Sequence, residues 1–191
     1  MRILFATLWL LVPLGLVGYH YGPGQKHLAV DQSEDFLAQA RQSVASQDWG
    51  AAIAFYQQAL SKLPAEKVTL SQRIRLEIAK AELENAGLIG ARQDLASLLA
   101  DLNNDPTAPA ELKEDTIAAL ANSRYYLTYL MKLEGKPASE WEPEIEAARQ
   151  EYKLLAQTTA DPTRHQHDLE ATIRLARAEP SELYGLPLPN Q

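Results

Sequence analysis

The sequence predicts an all-α chain: a short stack of antiparallel helical hairpins, closed by a C-terminal helix and preceded by an apolar N-terminal helix. Three observations carry that expectation. Apolar residues recur at spacings of three and four through most of the chain, which is the period of one helix face. Breakers fall between these stretches, at Asp48, Pro64, Gly87 and the run Asn103, Asn104, Asp105, Pro106. No segment alternates apolar and polar residues with the period of two that a half-buried strand needs.

The first element is apolar from Ile3 to Gly18 except for Thr7, with Arg2 before it and Tyr19, His20 and Tyr21 after it. Residues 1–24 are therefore expected to be a membrane anchor or a secretory signal. About 20 apolar residues span a bilayer, and counting through Tyr21 reaches that range. Signal peptides end on small residues at a cleavage site, and Tyr19, His20, Tyr21 and Pro23 interrupt the candidates here. The two tyrosines suit the interfacial belt instead. Arg2 places the amino terminus in the cytoplasm and the remainder outside, against the opposing charge of Lys26.

A polar connector is expected over residues 25–32, with Ser33 capping the next helix and Glu34 and Asp35 favouring that end of its dipole. Phe36, Leu37, Ala40, Val44 and Ala45 line one face of this helix. Asp48 caps a partner carrying Ala52, Ile53, Tyr56, Ala59 and Leu60, and Pro64 ends it. A second pair has Ile74, Ile78, Ala79 and Leu83 on one helix, Gly87 at the turn, and Ala91, Leu95 and Leu98 on the next. A third pair runs over residues 110–134 and 141–156, with Ala148, Tyr152 and Leu155 repeating the small, aromatic and apolar positions. Residues 161–179 form one more amphipathic helix, with Leu169, Ile173 and Ala176 inward, placed to cover the end of the stack. Pro180 stops it, and residues 180–191, with Pro187 and Pro189, are expected to be extended.

The first pair resembles a tetratricopeptide repeat, a helix-turn-helix unit of about 34 residues. Phe36 matches the early bulky position, Ala40 the small residue at the crossing, Ala52 the small residue of the second helix, Tyr56 the aromatic, Ala59 the next small residue, and Pro64 the closing proline. Small residues let two backbones approach, while Phe36 and Tyr56 fill space toward a neighbour. Ser43 and Gln39 depart from the pattern. In the second copy Ala79 and Ala91 match and Arg75 departs, and the offset from Ala52 to Ala91 (91 − 52 = 39) exceeds the standard period, an excess assigned to the loop after Pro64. The resemblance covers residues 33–160. It implies that the first helices line a concave groove into which Arg41, Arg73 and Lys80 project, with Leu37, Val44, Leu76 and Leu83 as apolar neighbours. Such a strip suits an acidic or carboxylate-bearing peptide, although the Asn of a chaperone-tail carboxylate clamp is missing.

Composition narrows the function classes. A net charge of −7 with no basic run disfavours nucleic acid as a partner. The absence of Cys removes disulfides, thiolate metal sites and thiol nucleophiles. His165 and His167 stand two apart on a helix with Asp168 beside them, and that spacing points the imidazoles to different sides. Glu140, Glu142, Glu144 and Glu146 read as a solvated helix face. Tyr125, Tyr126 and Tyr129, with Trp141, are either core or an interface hot spot. There is no phosphate-cradling glycine loop and no nucleophile elbow. The expected function is thus a non-catalytic adaptor, tethered to a bacterial cell membrane with its soluble part outside the cytoplasm, that binds a protein or peptide. It uses no cofactor, metal or small-molecule substrate. The alternatives are a secreted periplasmic binding module and a structural subunit of a membrane-associated assembly.

Overall fold

The computed structural model describes residues 23–159 and 162–185 of the 191. The described residues form seven helices and no strand: α1 (Pro23–Ala45), α2 (Trp49–Lys62), α3 (Val68–Glu84), α4 (Leu88–Asn104), α5 (Ala110–Leu133), α6 (Ala138–Thr158) and α7 (Pro162–Arg177). A 3-10 turn, Pro180–Gly185, follows α7. The chain divides into two compact units, one ending at Ile74 and one beginning at Arg75, so that the boundary falls inside α3.

In the first unit α1 and α2 pack as an antiparallel pair. Three residues join them, and Asp48 caps α2 by accepting the Ala51 N–H at 3.0 Å. Ala40, Ala52 and Ala59 are wholly buried, as a close helix crossing requires, and Tyr56 is buried beside them. At the far end of the pair, buried Ser33 donates its hydroxyl to the Ala59 carbonyl at 3.0 Å. That bond ties the two helices where no turn holds them. Ser33→Ala should lower stability by about 1 kcal/mol, the usual value of a buried neutral hydrogen bond, and urea denaturation of the two chains side by side reads it. An unchanged midpoint would mean that the hydroxyl adds nothing.

Two expectations are corrected here. The connector over residues 25–32 is helical, because α1 starts at Pro23 and Ser33 lies inside it rather than at its cap. Proline suits a first helical position, where its missing N–H is not needed. The segment after residue 180 is a 3-10 turn through Gly185, and its Leu183 is buried against Tyr125 and Leu175. Residues 1–22, which carry nearly all of the expected anchor, and residues 186–191 of the tail lie outside the described residues. Among the described residues no helix is long and apolar enough to cross a membrane.

In the second unit the remainder of α3 turns back as α4, and Arg75 meets Asp101 at 2.7 Å across that pair. Helices α4, α5, α6 and α7 then pack in sequence, each on the next, and the 3-10 turn returns to α5. Three clusters of buried side chains fill the layers. Leu76, Ala79, Leu95, Leu98, Leu102, Leu112 and Leu120 join α3, α4 and α5. Ile117, Ala121, Tyr152 and Leu155 join α5 to α6. Tyr125, Ile145, Ala171, Leu175, Ala178 and Leu183 join α5, α6, α7 and the 3-10 turn.

Three turns share one closure. Gln47, Ala86 and Gly135 each take positive φ, of 58°, 60° and 69°. In each, the next residue donates its N–H to the carbonyl five positions back: Asp48 to Ser43 at 2.9 Å, Gly87 to Glu82 at 2.7 Å and Lys136 to Met131 at 2.9 Å. This is the Schellman closure of a helix C-terminus. The sequence places Gly87 at its turn, but the left-handed residue is Ala86. A Cβ at Gly87 would lie 3.0 Å from the Glu82 carbonyl oxygen, a tight contact, although Asp48 and Lys136 carry side chains at the same place in their turns.

Candidate functional site

Corresponding positions in the first two hairpins stand at a constant offset. An offset of 39 residues relates the left-handed turn residues (86 − 47 = 39) and the hydrogen bonds that close them. It also relates the buried polar pair Ser33 and Gln72, the buried leucines Leu37 and Leu76, the crossing alanines Ala40 and Ala79, and the second-helix positions Ala52 and Ala91, Tyr56 and Leu95, and Ala59 and Leu98. The offset is the same for first-helix and second-helix positions, so the turn inside each hairpin has the same length. Of the repeat-defining residues, only Phe36 and Pro64 are half-buried, while Ala40, Ala52, Tyr56, Ala59, Ala79 and Ala91 are buried.

The third hairpin departs from this register. Ala148 stands 13 residues after the left-handed Gly135, whereas Ala52 stands five after Gln47. Both α5 and α6 are correspondingly longer than the helices of the first two pairs, apart from α1.

The structure separates the expected groove residues into two kinds. Leu37 and Leu76 occupy equivalent positions and are core side chains, so the expectation that they border a ligand is corrected: their helix face is turned inward. Val44 and Leu83, also equivalent, are half-buried, and Leu83 packs on the α3–α4–α5 cluster. Arg41 is exposed, as is Arg73, and Lys80, the counterpart of Arg41, reaches Glu77 at 3.2 Å with both side chains about two-fifths exposed. Leu37, Arg41, Val44 and Arg73 belong to the first unit, and Leu76, Lys80 and Leu83 to the second.

The strongest electrostatic feature is one the sequence does not single out. On α6, Glu144 and Glu151 stand two helical turns apart and so share a face. Glu144 accepts Arg92 Nε of α4 at 3.1 Å and also pairs with Arg92 Nη2, while Arg124 Nη1 of α5 approaches the same carboxylate at 3.4 Å. Arg124 Nε lies 3.4 Å from Glu151 Oε1. The four side chains are between 14% and 27% exposed, so each charge is partly desolvated as well as paired. Burial pushes the Glu151 carboxyl up to about 7, and the neighbouring Glu144 charge adds to this, against the opposing pull of Arg124 and Arg92. The expectation that Glu144 belongs to a solvated face is thus corrected. Glu140, Glu142 and Glu146 are exposed, and Glu146 holds Arg149 and Gln150 at its surface.

The remaining candidates resolve into packing. Tyr125 is fully buried, its ring set edge-on to Tyr126 with centroids 5.8 Å apart, and Tyr126, Tyr129 and Trp141 are half-buried against the same cluster. His165 Nδ1 lies 3.9 Å from the buried Asp168 carboxylate in the opening turns of α7. Among the described residues no group of three or more His, Asp or Glu side chains is placed to hold a metal ion.

No family model matches this chain, and no curated protein or solved structure matches it either.

Proposed function

We propose that the protein is a non-catalytic adaptor whose tetratricopeptide-like hairpins dock a protein or peptide partner, with residues 1–24 holding it at the outer face of a cytoplasmic membrane. The observation that carries this reading is the 39-residue register, in which turn closure, crossing alanines and buried polar positions recur together. A unit repeated in this way buries its apolar face only against a neighbour, and such arrays present surfaces along their length that bind other chains. The equivalent first-helix positions Arg41 and Lys80 are both basic and both outside the core in a chain of net charge −7, which favours an acidic segment in the partner. The apolar stretch Ile3–Gly18 supports the tether, which raises the effective concentration of the adaptor for anything else at the membrane.

A photocrosslinking residue placed at position 41 or 80 of the full chain, in native membranes, tests the basic first-helix position of each unit in turn. Each position should capture a partner protein, and a control at exposed Gln157 should not. Charge reversal by Arg41→Glu should weaken that capture roughly tenfold, the scale of one lost favourable charge contact. Equal labelling at all three positions would remove the docking reading. Digestion of a C-terminal tag in intact spheroplasts, with inner membranes sealed, checks the tether and its orientation; a protected tag would place the body in the cytoplasm.

A further inference from the structure

The charge cluster on α4, α5 and α6 is unevenly compensated. Glu144 is served by two guanidinium groups, and Arg92 meets it with two nitrogens. Among the described residues, Glu151 meets one guanidinium at ion-pair distance, Arg124, without a hydrogen bond, and its Oε2 is buried with no hydrogen-bond partner. Among the same residues Arg124 Nε is also buried without a hydrogen bond. The two carboxylates thus compete for one arginine, and Glu144 holds it more fully. A buried oxygen that lacks a donor is costly as an anion and much less so as a protonated acid.

We propose that this cluster is a proton-operated clasp, in which uptake of one proton on Glu151 tightens the packing of α6 against α5 and α4. Ionised, Glu151 draws Arg124 away from Glu144. Protonated, it releases Arg124 to Glu144, which Arg92 already ties to α4, so three helices close on one carboxylate. The groups facing Glu151 are Arg124 from α5, Arg92 from α4 and Glu144 from α6 itself. From α7, Asp168 acts on the neighbouring Tyr152, with His165 beside that carboxylate. This device does not depend on the adaptor reading.

The sign follows from linkage. The folded chain binds the proton more tightly than the unfolded one, so stability is greatest on the acid side and is lost as pH rises from the ordinary carboxylate range to about 7. Between pH 5 and 8 the folding equilibrium constant of the full chain in mild detergent should fall on the order of 50- to 100-fold from this group alone. In Glu151→Gln that dependence should vanish. The two chains differ at this one carboxyl, so the difference between their pH profiles isolates Glu151. A 13C carboxyl titration of the wild-type chain, assigned with Glu151→Asp, should place this carboxyl near neutrality. A midpoint below pH 5, or an equal pH slope in the Gln variant, would overturn the clasp. Should the Gln variant fail to fold, the wild-type titration decides alone.

Discussion

Tyr125→Ala should unfold the second unit more readily than any other single truncation on α5, by about 3–5 kcal/mol, the usual cost of removing a buried aromatic ring. Tyr125 has no exposed surface and sits among Ile145, Ala171, Leu175 and Leu183, so its ring touches α6, α7 and the 3-10 turn at once. No neighbour can collapse into the space, because each is already fixed by its own helix, and the edge-on contact to Tyr126 is lost with the ring. Burial also pushes its phenol up to about 12, with Tyr126 and Tyr129 adding to the shift, so the ring stays neutral across the working range. Tyr129→Ala removes a half-buried ring at the edge of the same cluster and should cost about half as much. Denaturant unfolding of both variants against the wild type provides the comparison. Equal, small losses would return the tyrosines to the alternative role of an interface hot spot.

The helices of this protein are legible because their apolar positions and breakers are local. Ala40, Ala52, Tyr56 and Ala59 can be placed on inward helix faces from spacing alone, and all four are buried. What local pattern cannot show is which distant side chains meet. Glu144 sits in an alternating acidic run that has every mark of a solvated face, and only the approach of α4 and α5 turns it into the centre of an ion cluster. A signal was present nonetheless: Glu144 and Glu151 are seven apart on the face of α6 that also carries Ala148, and Arg124 stands next to a core tyrosine. The start of α1 is hidden for the opposite reason. Residues 25–32 are mostly polar and show no apolar stripe, so only Pro23 hints at a helix beginning. Leu37 and Leu76 show how analogy overreaches, since a leucine assigned to a groove by resemblance can as well face the core, and here both copies do.

Lys132→Met should cost about 2–4 kcal/mol and should release the C-terminal end of α7 before anything else, because this lysine is what finishes that helix. A helix leaves its last carbonyls without partners, and Pro180, three residues past the end of α7, cannot continue it. Lys132, at the end of α5, donates from Nζ to the carbonyls of Leu175 and Ala176 at 2.9 and 3.2 Å. The same ammonium lies 4.2 Å from the centre of the Trp141 ring on α6, so one side chain joins three helices. Burial pulls the ammonium below the usual lysine range, with Glu179 opposing, so the charge is held at a desolvation cost. That cost is offset only if the carbonyls need it. Methionine keeps the apolar stem and removes the donors, leaving two carbonyls unpaired in a mostly buried place, each a penalty of roughly 1–2 kcal/mol. Amide hydrogen exchange of the full chain should therefore accelerate first over residues 171–183, while α4 and the body of α5 keep their protection. If α7 exchanges at the wild-type rate and stability falls by less than about 0.5 kcal/mol, water satisfies those carbonyls and the lysine is dispensable. The cap on the stack would then rest on Tyr125 and its neighbours alone.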